Sequence, residues 1–261
     1  MTVLSTVISV IGTLPVVAAA WYWLQRFQRG RHFLQFTSAR PIDLVLTTSA
    51  VNEAVHGLPA SRPLTGYGQV RAVASCAGVL ASLYPRKDVL IHLSGFIRNR
   101  LDRDLVILGG PAKNEAARAM LEDLALQHDI TDFVFDDIND KLKIELRNRQ
   151  PFSIDSFAPQ ISNGYPAKDY GLIVASFHRG QSGKHYRRIL CAGFTTYGTF
   201  VAAEYLFGDL IKMSGRRLAK SMGARRIKRR FCFVAVVSAR FSQGECIEIQ
   251  PIYQADLKML L

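Results

Sequence analysis

The sequence predicts a membrane-anchored α/β chain: a single N-terminal transmembrane helix followed by a mixed sheet with flanking helices and an antiparallel extension. Three observations predict it. Residues 3–24 carry no charged side chain, and a helix needs roughly 20 apolar residues to cross the hydrocarbon core. Beyond residue 41, short apolar runs alternate with stretches of helical period, the pattern of an α/β layer fold. The last third replaces that alternation with pairs of β-rich runs around polar turns. The 261 residues then divide into a transmembrane helix at 1–25, a basic juxtamembrane linker at 26–40 and a cytoplasmic α/β domain at 41–261.

The anchor is read first. Trp21, Tyr22 and Trp23 stand where an interfacial aromatic belt would lie. Nothing basic precedes the apolar run and bulky aromatics end it, which is not the layout of a cleaved signal peptide. Arg26, Arg29, Arg31 and Arg40 all follow it. The positive-inside rule therefore predicts a single-pass protein of the cell membrane with its N-terminus outside and its C-terminal domain in the cytoplasm.

The elements of the domain follow in order. Residues 42–46 read as a strand, and 70–84 as a helix with Val70, Val73, Ala77, Leu80 and Leu83 on one face, stopped by Pro85. Residues 89–93 and 105–108 read as buried strands, and 116–126 as a helix presenting Ala117, Met120, Leu121 and Leu124. Residues 172–177 and 188–191 flank a polar stretch at 178–185 and form a hairpin. A helix at 199–210 and a second strand pair, 231–237 and 247–252, complete the chain.

The charge balance, 33 Lys and Arg against 21 Asp and Glu for a net +12, calls for anionic partners. Three glycine-bearing turns leading into helices are where such a partner fits: Gly66 with Gly68, Gly109-Gly110-Pro111, and Gly193 to Gly198. A helix N-terminus approached closely by backbone is a ready anion site. No acid stands near the first turn, and Arg71 lies one turn into its helix. The third offers Thr195, Thr196, Gly198 and Thr199 before Glu204, with Arg187 and Arg188 on the strand before it. The second has Asn114 as an N-cap but Glu115 in the first helical turn, where a carboxylate already complements the dipole. A plain turn needs glycine too, so each turn taken alone has a packing explanation.

Standard nucleotide motifs are missing. Arg71 replaces the third glycine of a G-x-G-x-x-G fingerprint, and the P-loop echo at Gly183-Lys184 has His178 and His185 where glycine and Ser or Thr belong. No cofactor is assigned. The run from Asp104 through Gly109-Gly110-Pro111 to Asn114, then Asp169-Tyr170-Gly171-Leu172-Ile173, then Gly193 with Tyr197-Gly198-Thr199, resembles a group of bacterial Rossmann-like domains over residues 67–206. The resemblance implies a Rossmann-like fold and a ligand edge, without a reaction.

Catalytic machinery is sparse. There is no G-x-S-x-G elbow, no H-E-x-x-H pair and no C-x-x-C among the four cysteines, so no metal site is assigned. Asp132, Asp136, Asp137 and Asp140 lack the glycine and terminal Glu of a calcium loop. Glu53 after the first strand and Asp169 before Tyr170 are the candidate catalytic acids, for cleavage of a nucleotide.

Between Lys212 and Arg230 nine basic residues occur without an acid, including Arg225, Arg226, Arg229 and Arg230, which are assigned to an anionic membrane surface, with a plain solvated face as the equal alternative. Groove-reading motifs are absent, which disfavours nucleic acid as a partner. The expected function is a membrane-tethered domain that binds a small anionic ligand, a nucleotide, as sensor or effector, with membrane lipid and a further copy of the chain as partners. The alternatives are a membrane-bound nucleotide hydrolase or glycosidase and a lipid-tethered interaction module without ligand.

Overall fold

The computed structural model describes residues 18–19, 21, 28, 30–36, 40–47, 49–55, 58–97, 101–136, 141–147, 149–154, 157–162, 165–180, 182–210 and 230–259. It is a mixed α/β fold built on one large sheet, consistent with a Rossmann-like arrangement. The strands are β1 (Ile42–Leu46), β2 (Ser49–Val55), β3 (Leu58–Leu64), β4 (Val89–Leu93), β5 (Leu105–Leu108), β6 (Ile130–Asp136), β7 (Lys141–Leu146), β8 (Phe152–Ile154), β9 (Gln160–Ser162), β10 (Tyr165–Arg179), β11 (His185–Gly193), β12 (Cys232–Ser242) and β13 (Glu245–Leu257). The helices are α1 (Tyr67–Leu83), α2 (Ser94–Ile97), α3 (Glu115–Gln127) and α4 (Thr196–Ala203), and α4 runs on as a π-helical turn, Glu204–Leu210.

The expected membrane span is overturned, and with it that part of the fold class and the assigned localisation. Among the described residues no helix is long and apolar enough to cross a membrane. An uncharged run satisfies only the compositional half of the requirement; the other half is a continuous helix of roughly 20 residues. Residues 3–24 lie almost wholly outside the described residues. Further along, within the stretch read as a linker, Phe33, Leu34 and Phe36 are buried in the core, and Phe33 packs its ring 5.3 Å from that of Phe233.

The large sheet runs β13-β12-β10-β11-β5-β1-β4, with β9 paired to β10. β4, β1, β5 and β11 are parallel, whereas β10, β12 and β13 alternate antiparallel. β1 lies between β4 and β5, the two strands that follow it in this sheet, so the chain leaves it first to one side and then to the other. Such a reversal opens a crevice at the carboxyl ends of the strands.

Both faces of the sheet are covered at β1 and β5, which explains why β5 is apolar throughout and β1 departs from that only at Asp43, buried and paired with Arg103 at 2.8 Å. Leu44, Val106, Ile173 and Ile189 face α1 and α4, while Val45, Ile107, Leu172 and Leu190 face α3 and the small sheet β6-β7-β8. That small sheet and the β2-β3 hairpin are not visible in the sequence pattern, because Pro, Arg and Asn interrupt 49–64 and acids and lysines interrupt 130–146. Asp132 and Asp136 consequently sit in β6 rather than in a turn, while Asp137 and Asp140 lie outside the described residues.

The hairpin at 178–185 closes with Gly180 N–H donating to Lys184 O at 2.9 Å and Gly183 at φ +73°, so the P-loop echo is a strand reversal. The last hairpin turns at Gln243 and Gly244, both at positive φ.

Candidate functional site

The carboxyl ends of three parallel strands meet at one point. Thr47 follows β1, Gly109 follows β5 and Gly193 ends β11. Backbone bonds tie them together: Thr47 N–H donates to Leu108 O at 3.3 Å, and Gly109 N–H to Cys191 O at 2.9 Å. The start of α1 closes the ring, with Gln69 donating from Nε2 to Leu108 O at 3.5 Å and Thr65 Oγ1 donating to Thr47 O at 3.4 Å.

Between them lies a cavity of about 150 Å³. Thr47, Gly66, Gln69, Gly109, Gly110 and Lys113 line one part of it, and Gly193, Phe194, Thr195, Thr196 and Thr199 the other. The three glycine turns, separated by more than a hundred residues of sequence, thus share one wall. Gly109 cannot be replaced there: it sits at φ +116°, and a Cβ would fall 2.1 Å from Thr47 Oγ1.

The electrostatics favour an anion. Among the described residues Lys113 is the charged residue of the wall, and no carboxylate belongs to it. α1 and α4 begin here, neither with an acid in its first turn, and no side chain caps α1 at Gly66. The α1 dipole therefore presents an uncapped positive end to the cavity, whereas the first N–H groups of α4 are taken up by Thr195. α3 carries Glu115 in its first turn, and Glu115 is not part of the wall.

Beneath the wall lies Asp169, 0% exposed. It accepts hydrogen bonds from Thr195 Oγ1 and from Tyr170 N–H at 2.7 Å. Thr195 in turn accepts from the N–H groups of Tyr197 at 3.0 Å and Gly198 at 3.4 Å, as the N-cap of α4. Burial pushes the Asp169 carboxyl up to about 6, against the opposing effect of the Thr195 bond. Asp169 is thus a positioning residue for the 195–199 turn.

Of the ligand residues expected from sequence, Gly66, Gly109, Gly110, Thr195, Thr196 and Thr199 come together in the wall. Gly68, Arg71, Asn114 and Gly198 do not. Gly68 lets α1 approach α4, since a Cβ would lie 2.1 Å from Thr196 O, and Gly198 lets α4 approach β10, since a Cβ would lie 2.2 Å from Tyr170 O. Asn114 caps α3, accepting from Ala116 N–H at 3.1 Å. Arg71 turns the other way, 3.1 Å from Glu245. Gly193 and Phe194, part of the third glycine turn, also line the wall, and Thr47, Gln69 and Lys113 join it; the signal of these three in the sequence is only their position at a strand end, in a first helical turn and in the turn before Asn114.

Arg187 and Arg188 are not near the cavity. They lie at the start of β11, and five or six residues of strand put roughly 15–20 Å between them and Gly193. Both are buried, Arg187 donating to Phe231 O at 2.6 Å and Arg188 pairing with Asp123 at 2.7 Å. His178 lies within 3.3 Å of Asp102 and 3.1 Å of Asp123 at that same opposite edge. Glu53 lies on β2, its side chain outside the described residues, as are Arg225, Arg226 and Arg229. Arg230 is exposed at φ +62°, with Nη1 3.2 Å from His185 Nε2.

Fold and cavity together define an α/β domain with a crevice where its parallel strands end. Comparison with protein-family models, with curated proteins and with solved structures finds no match.

Proposed function

We propose that the protein binds a small phosphorylated ligand, a nucleotide by preference, in the cavity at the carboxyl ends of β1, β5 and β11, and works as a sensor or effector of that ligand. The observation that carries this reading is the convergence of Gly66, Gly109-Gly110 and Gly193 to Thr196 on a wall that contains Lys113 and, among the described residues, no carboxylate. Glycine allows a phosphate to approach backbone, Thr196 supplies a hydroxyl, and the uncapped N-terminus of α1 supplies a positive dipole end. At about 150 Å³, the cavity is smaller than the several hundred Å³ of a site for a whole drug-sized ligand. It accepts the phosphate, and the rest of the ligand passes Phe194 and Lys113 toward solvent. Hydrolysis by Asp169 draws no support, because that carboxylate is sealed beneath Thr195.

Thermal unfolding with AMP, inorganic phosphate and adenosine tests the reading. AMP at 100 times its Kd should add about 2.7 kcal/mol of stability, phosphate a smaller increment and adenosine almost none. Lys113→Gln removes a charge-assisted contact and should weaken AMP binding about tenfold or more. Gly110→Ala places a methyl 3.3 Å from the Phe135 ring and 3.5 Å from Gly193 O; it should narrow the cavity while leaving the apo transition near that of the parent. Adenosine binding as well as AMP, or AMP binding unchanged in both variants, would refute the phosphate site.

A further inference from the structure

On the side of α1 to which Arg71 points, a second cavity, of about 480 Å³, opens between α1, the π-helical turn and β13. Its apolar surface comes from Ala74, Phe200, Ile247 and Ile249, and its charged groups are Arg71, Glu204 and Glu248. Two of these lie within ion-pair distance of an opposite charge. Arg71 lies 3.1 Å from Glu245 and stacks 4.2 Å over the Phe200 ring, and Glu248 lies 3.3 Å from Arg240.

Glu204 is different. It is half-buried, it accepts the Ser75 hydroxyl at 2.6 Å, and among the described residues no cation pairs with it. Its carboxylate lies beside Gly208, where a Cβ would come within 2.8 Å of Glu204 Oε1. Glycine at this position leaves room for the carboxylate beside the helix, turned toward Ser75. π-helical turns recur at functional sites, and one whose widened backbone orients a carboxylate into a cavity fits that use. A partly desolvated carboxylate without a counter-ion is unfavourable unless a cation is supplied. In a chain of net +12, such a group is not there to balance charge overall. One carboxylate and one hydroxyl are too few oxygens for a divalent cation, which takes six or more ligands.

We propose that this cavity binds an aliphatic amine, its ammonium paired with Glu204 and its carbon chain laid on Ala74 and Ile249. Arg71 occupies the Phe200 face, so the amine binds by charge and aliphatic contact rather than by stacking on the ring. This inference does not rest on the phosphate reading.

The cavity contains its own reporter. The chain has four cysteines; Cys76, Cys191 and Cys232 are buried, and the partly exposed Cys246 lies in this wall. Alkylation of Cys246 by iodoacetamide, a neutral reagent, is followed with and without 1,4-diaminobutane at fixed ionic strength. The amine should slow alkylation in the parent and in Lys113→Gln. In Glu204→Gln, whose amide still accepts from Ser75, the amine concentration that protects should rise about tenfold. Should the Glu204→Gln melt differ from the parent's, Glu204→Asp keeps the charge, withdraws it by one methylene, and should show an intermediate loss. Alkylation equally fast with and without the amine, or protection undiminished in these variants, would overturn the site.

Discussion

The Asp169 carboxylate, 0% exposed and bound to Thr195, ties the stability of the domain to pH. Its folded value of about 6 lies above its ordinary 3.8, so the folded state holds the proton more tightly than the unfolded state. The resulting stabilisation is complete below pH 3.8 and is lost as pH rises through about 6. At 1.36 kcal/mol per unit it amounts to about 3 kcal/mol. Urea unfolding at pH 4 and pH 7 should therefore show Asp169→Asn gaining about 2 kcal/mol relative to the parent between the two; parallel pH profiles would refute the burial argument. The sequence marks Asp169 as an acid ahead of a strand. It does not mark Thr195, the partner that turns this acid from a catalytic candidate into a positioning residue, because the bond spans 26 residues between antiparallel neighbours.

Among the elements, the start of α3 is the one whose chemistry is most legible. Asn114 stands before Glu115 and an apolar helical period, and it caps the helix from a fully buried position, also donating to Leu108 O at 3.3 Å. Asn114→Ala should destabilise the domain by about 1–2 kcal/mol in chemical denaturation, the usual cost of a lost N-cap, and should leave AMP affinity nearly unchanged because Asn114 is not part of the cavity wall. A loss below 0.5 kcal/mol would show the cap to be dispensable. α4 was harder to place. Its period predicts a helix at 199–210, whereas Thr195 caps it four residues earlier and a π-turn replaces its second half. Apolar spacing registers neither a cap whose side chain is held by Asp169 nor the widening of the helix at Glu204–Leu210.

At the scale of the molecule, stability follows the sheet's depth. Leu44 on β1 is fully buried between helices and sheet, while Leu90 on the adjacent β4 is 41% exposed. Leu44→Ala should cost about 2–5 kcal/mol by creating a cavity, and Leu90→Ala, partly solvated already, less than about 1.5 kcal/mol. Equal losses would mean that β4 is covered as deeply as β1. The strands β1, β4 and β5, the face of α3 and the antiparallel character of the last third are written in the sequence, because apolar period, Pro, Gly and turn composition act over a few neighbouring residues. The glycine turns are visible for the same reason. The buried face of α1 is not, since Val70 is 53% exposed while Ala72 and Cys76 join Leu80 and Leu83 in the core, and β4 is more exposed than its apolar run implies. Only the tertiary structure decided that β5 would cross to the far side of β1, bringing Gly66, Gly109 and Gly193 to one cavity while sending Arg187, Arg188 and Arg71 elsewhere. It also decided that Phe33 and Leu34, next to an uncharged run, belong to the core. Strand order and burial are set by which surfaces pack together across long separations in the chain, and no local pattern records that choice.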